Sequence, residues 1–92
     1  MNSTIMPSSV TLTICIPTWN RETKVVAGLE RAKLLTNPNL NFLVIDNNSD
    51  DNTFSRIKEF ESERICILRN NTNIGADANY LRCIEFCTGD FC

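Results

Sequence analysis

The sequence predicts an α/β fold, a three-layer α/β/α sandwich around a mainly parallel sheet. Three observations carry that prediction. Short β-branched, apolar runs alternate with segments of helical periodicity, which is the pattern of successive β-α-β units. The run Phe42-Leu43-Val44-Ile45 is continuously apolar, as a strand covered on both faces must be. Each such run gives way to a polar loop dense in Asp, Asn and Ser, which stop a strand.

Residues 1–10 are polar and contain Pro7, Ser8 and Ser9, so they read as a flexible lead-in to a single unit spanning 11–92. Residues 11–17, TLTICIP, are β-branched and close on a proline, which ends the first strand. Asn20 is placed to cap a helix, with Glu22 near the positive end of its dipole. Val25, Leu29, Ala32 and Leu35 follow at helical spacing, and Asn37-Pro38 stops the helix because proline pushes its predecessor out of helical geometry. The second strand covers 41–45. Asp50, Asp51 and Asn52 then begin a second helix whose buried side is Phe54, Ile57 and Phe60, with Glu59, Glu61 and Glu63 as a solvated face. A third strand covers 65–68, too continuously apolar for a surface element. The NNTNIG loop at 70–75 is rich in residues that tolerate left-handed backbone. A third helix is expected over 76–87, with Tyr80, Cys83, Ile84 and Cys87 on one side and Gly89 as its C-cap. Tyr80 and Phe86 read as core. Residues 90–92 look like a fourth strand just beginning, so the sequence reads as the first half of a nucleotide-binding domain, truncated at that strand.

Composition bounds the function. Ninety-two residues allow one small domain, and 42% hydrophobic with 22% charged residues is ordinary for a globular protein. A net charge of −2 without a basic run argues against a nucleic-acid partner. No run approaches the ~20 apolar residues of a transmembrane helix. The N-terminus lacks the basic start and apolar stretch of a secretory leader, and the expected location is the cytoplasm, extending to the cytoplasmic face of the membrane. Five cysteines, an odd number without a tight pair, fit reduced thiols. Cys15 and Cys66 sit in strand-like runs as small buried hydrophobes. A zinc site at Cys83, Cys87 and Cys92 lacks a fourth ligand nearby, in a chain without histidine.

In a parallel sheet the loops after successive strands emerge on one edge, where ligands bind. Here those loops carry Thr18-Trp19-Asn20-Arg21, Asp46-Asn47-Asn48-Ser49, and 70–75 with Asp77 beyond. They supply an aromatic plane, groups that read a base or sugar edge, and a cation for phosphate. Neither a GxGxxG turn nor a P-loop is present, so diphosphate binding has to use side chains or a metal. Each residue also has a plainer reading. Trp19 could plug a turn, Arg21 could be a solvated charge, and Asp46 could cap the turn after its strand. Asp77 is most simply a partner of the helix dipole.

The motifs ICIPTWNR (14–21), VIDNNSDDNT (44–53) and NTNIGADANYLR (71–82) resemble, in this order and spacing, the first three landmarks of glycosyltransferase family 2. The third, with the following CTGDFC, is most similar to the branch containing abequosyltransferase-like enzymes. The resemblance implies the GT-A fold. It also implies transfer of a sugar from a nucleotide-diphosphate donor to an acceptor hydroxyl with inversion, in surface polysaccharide or O-antigen synthesis, with a saccharide or lipid-linked acceptor. By the same resemblance Pro17, Trp19, Asp46, Asn47, Asn73 and Gly75 match donor-nucleotide positions, and the first loop adds Thr18 and Arg21 to the expected donor-nucleotide residues. Many members carry Asp-Asp where this chain has Asp46-Asn47, so an amide stands where a base-reading carboxylate is common. A divalent cation, Mg or Mn, is expected for the full-length enzyme, but the family's DxD site and catalytic base fall after the fourth strand. No metal ligand or catalytic residue is therefore assigned here, and the fragment alone is expected to be inactive. The alternative reading is a non-catalytic nucleotide-binding module, or one completed by a partner strand.

Overall fold

The computed structural model describes residues 11–86. The elements are β1 (Leu12–Thr18), α1 (Glu22–Ala32), β2 (Leu40–Asp46), α2 (Thr53–Lys58), β3 (Ile65–Arg69) and α3 (Ala76–Glu85). The strands form one sheet in the order β1-β2-β3, and both pairings are parallel. The register places Thr18 opposite Asp46 and Asp46 opposite Arg69, so the three strands end level. Their loops therefore leave the sheet side by side.

β2 is the central strand and separates two cores. Phe42 and Val44 point to one face with Val25, Val26, Leu29, Ala32, Ile57, Ile65 and Ile67. Leu43 and Ile45 point to the other, against Cys83 of α3. α1 and α2 thus cover one face and α3 the other, giving the three layers. Val44 and Ile45 have no exposed surface, and burying each side chain is worth about 1.5–3 kcal/mol. That two-sided burial is why the run has no polar alternation.

The helices are shorter than periodicity suggests. α1 ends at Ala32, where Leu34 and Leu35 bond back to Arg31 and Ala32. This three-residue spacing tightens the last turn and rotates Leu35 off the apolar stripe, leaving it 45% exposed. In α2 only Ile57 of the expected trio is fully buried. Phe54 and Phe60 lie at its margins beneath cations, with Arg69 4.9 Å from the Phe54 ring and Lys33 5.4 Å from that of Phe60. Glu59, Glu61 and Glu63 are exposed as expected. The Glu61 carboxyl is held below its ordinary value by its bond to Lys58.

Three burial expectations are corrected. Cys66 is exposed, because β3 borders the sheet of the described residues and its face opposite Ile65 and Ile67 is covered only in part, at Leu68. Tyr80 is 57% exposed and Phe86 45%. α3 presents only the narrow Asn79–Cys83 line to the sheet, which turns Tyr80 and Ile84 outward. Arg82 lies 4.9 Å from the Phe86 ring. Cys15 is half-buried, and its thiol donates to the Cys83 carbonyl at 3.5 Å. Burial, and secondarily the Cys15 thiol beside it, pushes the Cys83 thiol up to about 11. The lead-in at 1–10, Cys87, Gly89, Cys92 and the fourth strand at 90–92 lie outside the described residues. No helix among the described residues is long and apolar enough to cross a membrane.

Candidate functional site

A cleft of about 300 Å³ opens where β1 and β2 end, beside the start of α3. Six residues expected from sequence line it: Pro17, Thr18, Trp19, Arg21, Asn47 and Asn73. Ala76 and Asn79 of α3 complete it. Its walls are apolar at Pro17 and Ala76, and Trp19, 43% exposed, offers a large aromatic surface at the rim. Arg21 is exposed and no carboxylate pairs with it among the described residues. The Thr18 hydroxyl is buried and has no hydrogen-bond partner there.

The loop after β1 is built differently from the sequence expectation. Asn20 does not cap α1. Arg21 precedes the helix and no side chain caps it. Asn20 instead takes a left-handed φ of 48°, which asparagine tolerates. Its side-chain oxygen accepts from the Asp50 amide at 2.8 Å and the Asp51 amide at 3.4 Å. Its own amide donates to Ser49 Oγ at 2.9 Å. A two-way strap thus ties the Trp19 loop to the loop after β2. Asp51 in turn accepts from the Thr53 amide at 2.9 Å and hydroxyl at 2.5 Å, which opens α2 and lowers the Asp51 carboxyl from its ordinary value.

Asp46 does not line the cleft. It is fully buried, and its carboxylate accepts from the Ser49 amide at 2.9 Å and the Ser49 hydroxyl at 2.5 Å. Arg69 Nε lies 3.5 Å away, and the same guanidinium donates to the Ser49 carbonyl at 3.1 Å. The structure therefore places Asp46 beneath the loop, closing the turn that begins the strap.

Asn47 sits at the centre of an amide network. Its Oδ1 accepts from the Ile74 amide at 2.9 Å and from Asn70 Nδ2 at 2.9 Å. Its Nδ2 donates to Asn73 Oδ1 at 3.0 Å and to the Gly75 carbonyl at 3.2 Å. Asn73 Oδ1 also accepts from the Gly75 amide at 2.8 Å. Asn70 donates further to Asn79 Oδ1 at 2.8 Å, and Asn79 donates to the Ile45 carbonyl at 3.0 Å. Gly75 does not line the cleft. It turns the chain into α3 with φ 91° and ψ 155°, a region open essentially to glycine alone. Asn70 and Asn79 were not singled out from sequence. A polar residue at a helix position that should face the sheet was the available signal for Asn79.

The described residues do not fit a metal ion. They contain no group of three or more potential ligands, and the cleft lining includes no carboxylate.

The glycosyl transferase family 2 model matches residues 13–92. The chain is 30% identical over 80 residues to WfgD of Escherichia coli, a UDP-Glc:α-D-GlcNAc-diphosphoundecaprenol β-1,3-glucosyltransferase. That alignment covers 87% of this chain and 32% of WfgD. Among solved structures it is similar to the mannosyltransferase PcManGT from Pyrobaculum calidifontis in complex with GDP-Man and Mn2+. The TM-score is 0.75 at 19% identity, covering 90% of this chain and 26% of that one. The chain thus spans about a third or less of these proteins' length, and the likeness to PcManGT is one of fold. The family match runs through all three loops that build the cleft, and on it the chain belongs to glycosyltransferase family 2.

Proposed function

We propose that the cleft holds the nucleoside diphosphate of a sugar donor, in a protein that transfers the sugar to an acceptor hydroxyl. The observation that carries this reading is the meeting of Trp19, Arg21 and a polar base-edge wall at one sheet end. Aromatic stacking is worth ~1–3 kcal/mol per base, and Arg21, a lining cation without a carboxylate partner among the described residues, is available to the diphosphate. WfgD takes UDP-Glc by name and PcManGT is complexed with GDP-Man, which supports a nucleotide-sugar donor. Inversion, a lipid-linked or saccharide acceptor and a role in surface polysaccharide synthesis belong to the same proposal. The cytoplasmic side of the membrane is the proposed place of work. Because the described residues do not fit a divalent cation, any such ion is assigned to other parts of a longer protein. The 92-residue chain is expected to bind donor without transferring sugar.

Trp19 is the single tryptophan of the chain, so its fluorescence reports directly on the cleft. Titration with UDP, GDP and CDP is expected to change its emission saturably for at least one of them. No change for any at millimolar concentration overturns the reading. A second reading, a module completed by further polypeptide, is favoured by the edge strand β1, with Ile14 37% exposed, and by the outward side chains of α3. Concentration-dependent dimerisation of the isolated chain supports it, whereas a monomer that binds nucleotide does not.

A further inference from the structure

We propose that this cleft selects a pyrimidine base over guanine, with Asn73 as the selecting residue. The inference rests on the nucleotide reading above and deepens it. It follows from the direction in which each amide of the network is locked.

The Gly75 amide can only donate, so the Asn73 atom it meets at 2.8 Å is the oxygen. That oxygen also takes Asn47 Nδ2 at 3.0 Å, which fills it. The NH2 of Asn73 is left with two N–H groups and no partner among the described residues. The Ile74 amide fixes Asn47 in the same way, and both ends of that amide are then used. The Ile45 carbonyl fixes Asn79 Nδ2 as its donor, and Asn79 Oδ1 is taken by Asn70. The one carboxylate at the strand ends, Asp46, is sealed beneath the loop with no exposed surface. Among the lining side chains, the oxygens of Asn47 and Asn73 each already accept twice, and that of Asn79, a residue only 2% exposed, accepts once. The unpartnered side-chain oxygen that remains is the Thr18 hydroxyl, which is itself buried and can take at most one donor that reaches it.

A base edge that suits this wall is rich in acceptors. Uracil presents O2 and O4 around one N–H, and cytosine presents O2 and N3 beside one amino group. Guanine presents two adjacent donor groups, N1–H and the 2-amino group, beside a single oxygen. Thr18 can take one of them, so the other enters the cleft unpaired and loses its water. A buried donor without a partner is the costly case. The wild-type chain should bind UDP or CDP at least about fivefold more tightly than GDP, at the low end of that cost.

The test is the Trp19 titration run with UDP, CDP and GDP on the 92-residue chain and on Asn73→Asp. That variant keeps an oxygen for Gly75 and Asn47 while turning the outward N–H pair into an acceptor. It should move the pyrimidine-to-guanine ratio toward GDP by about tenfold or more. A ligand-side measurement covers the case in which the variant does not fold. Replacing O2 or O4 of UDP by sulfur, a poor acceptor, should weaken binding to the wild-type chain in at least one of the two analogues. GDP binding as tightly as UDP and CDP, an unchanged ratio in a folded Asn73→Asp, or full affinity for both thio analogues overturns the selection while leaving the nucleotide site standing. Silence with every nucleotide overturns both.

Discussion

Replacing Asp46 by alanine tests whether this carboxylate supports the site or touches the ligand. In the structure it accepts two hydrogen bonds from Ser49, at 2.9 Å and 2.5 Å, from a position with no exposed surface. Hydrogen bonds to a charged acceptor contribute about 1.5–3 kcal/mol each. The two share one donor residue, and the Ser49 hydroxyl can turn once released, so their effects are not additive. The Ser49 amide cannot turn away and would stay buried without a partner. Arg69 adds little, because its side chain is 39% exposed and 3.5 Å distant. The expected loss is about 3 kcal/mol, a large share of the roughly 0.05–0.15 kcal/mol per residue that holds a domain together. Urea unfolding followed by circular dichroism should show a midpoint lowered by more than about 1 M. Asp46→Asn, which keeps the shape and one acceptor, should lose about half as much. Nucleotide affinity should fall alongside stability in the alanine variant, since Ser49 anchors the Asn20 strap behind Trp19. A variant as stable as the parent to within about 0.5 kcal/mol, yet unable to bind nucleotide, refutes this account and makes Asp46 a direct contact.

Asn79→Leu keeps the branched shape of the side chain but removes a bond to the Ile45 carbonyl and strands one N–H of Asn70. It should cost about 1–3 kcal/mol in a thermal or urea melt, and a neutral result removes the network's structural role. Gly75→Ala meets no atom within 4 Å, so its cost is the backbone conformation alone, about 1–3 kcal/mol. An unchanged melt would show that the turn relaxes without penalty. The Cys83 thiol is raised from 9.0 to about 11, so the folded chain holds its proton longer than the unfolded chain does. That contribution is intact below pH 9 and is lost as pH rises toward 11. Cys83→Ala should flatten stability across that window, and at pH 8 iodoacetamide should modify Cys66 before Cys83, as peptide mapping will show.

The sheet and its order of elements were legible because they rest on local signals. The continuous run 42–45 demanded cover on both faces, and the structure gives it two cores. Six of the eight cleft residues were named from the rule that loops at one sheet end converge. Burial at the edges was not legible. Cys66 and Tyr80 have the neighbours of core residues in sequence, yet they lie on an edge strand and on the outer side of α3. Whether an apolar position is covered depends on which other element reaches it.

The sequence by itself determined the family motifs, the parallel layers and the sheet end at which the polar loops converge, since periodicity, turn residues and level strand ends follow from short-range geometry. The tertiary structure alone decided which polar groups face the cleft and which are consumed inside. Asp46 was the most prominent acid in the sequence, and folding directs it to Ser49 and Arg69. Asn79 carried only the signal of a polar residue on a sheet-facing helix position, and folding brings it to the cleft wall. The reason is that a hydrogen-bonding group has few bonds to give, and only the fold settles which neighbours take them.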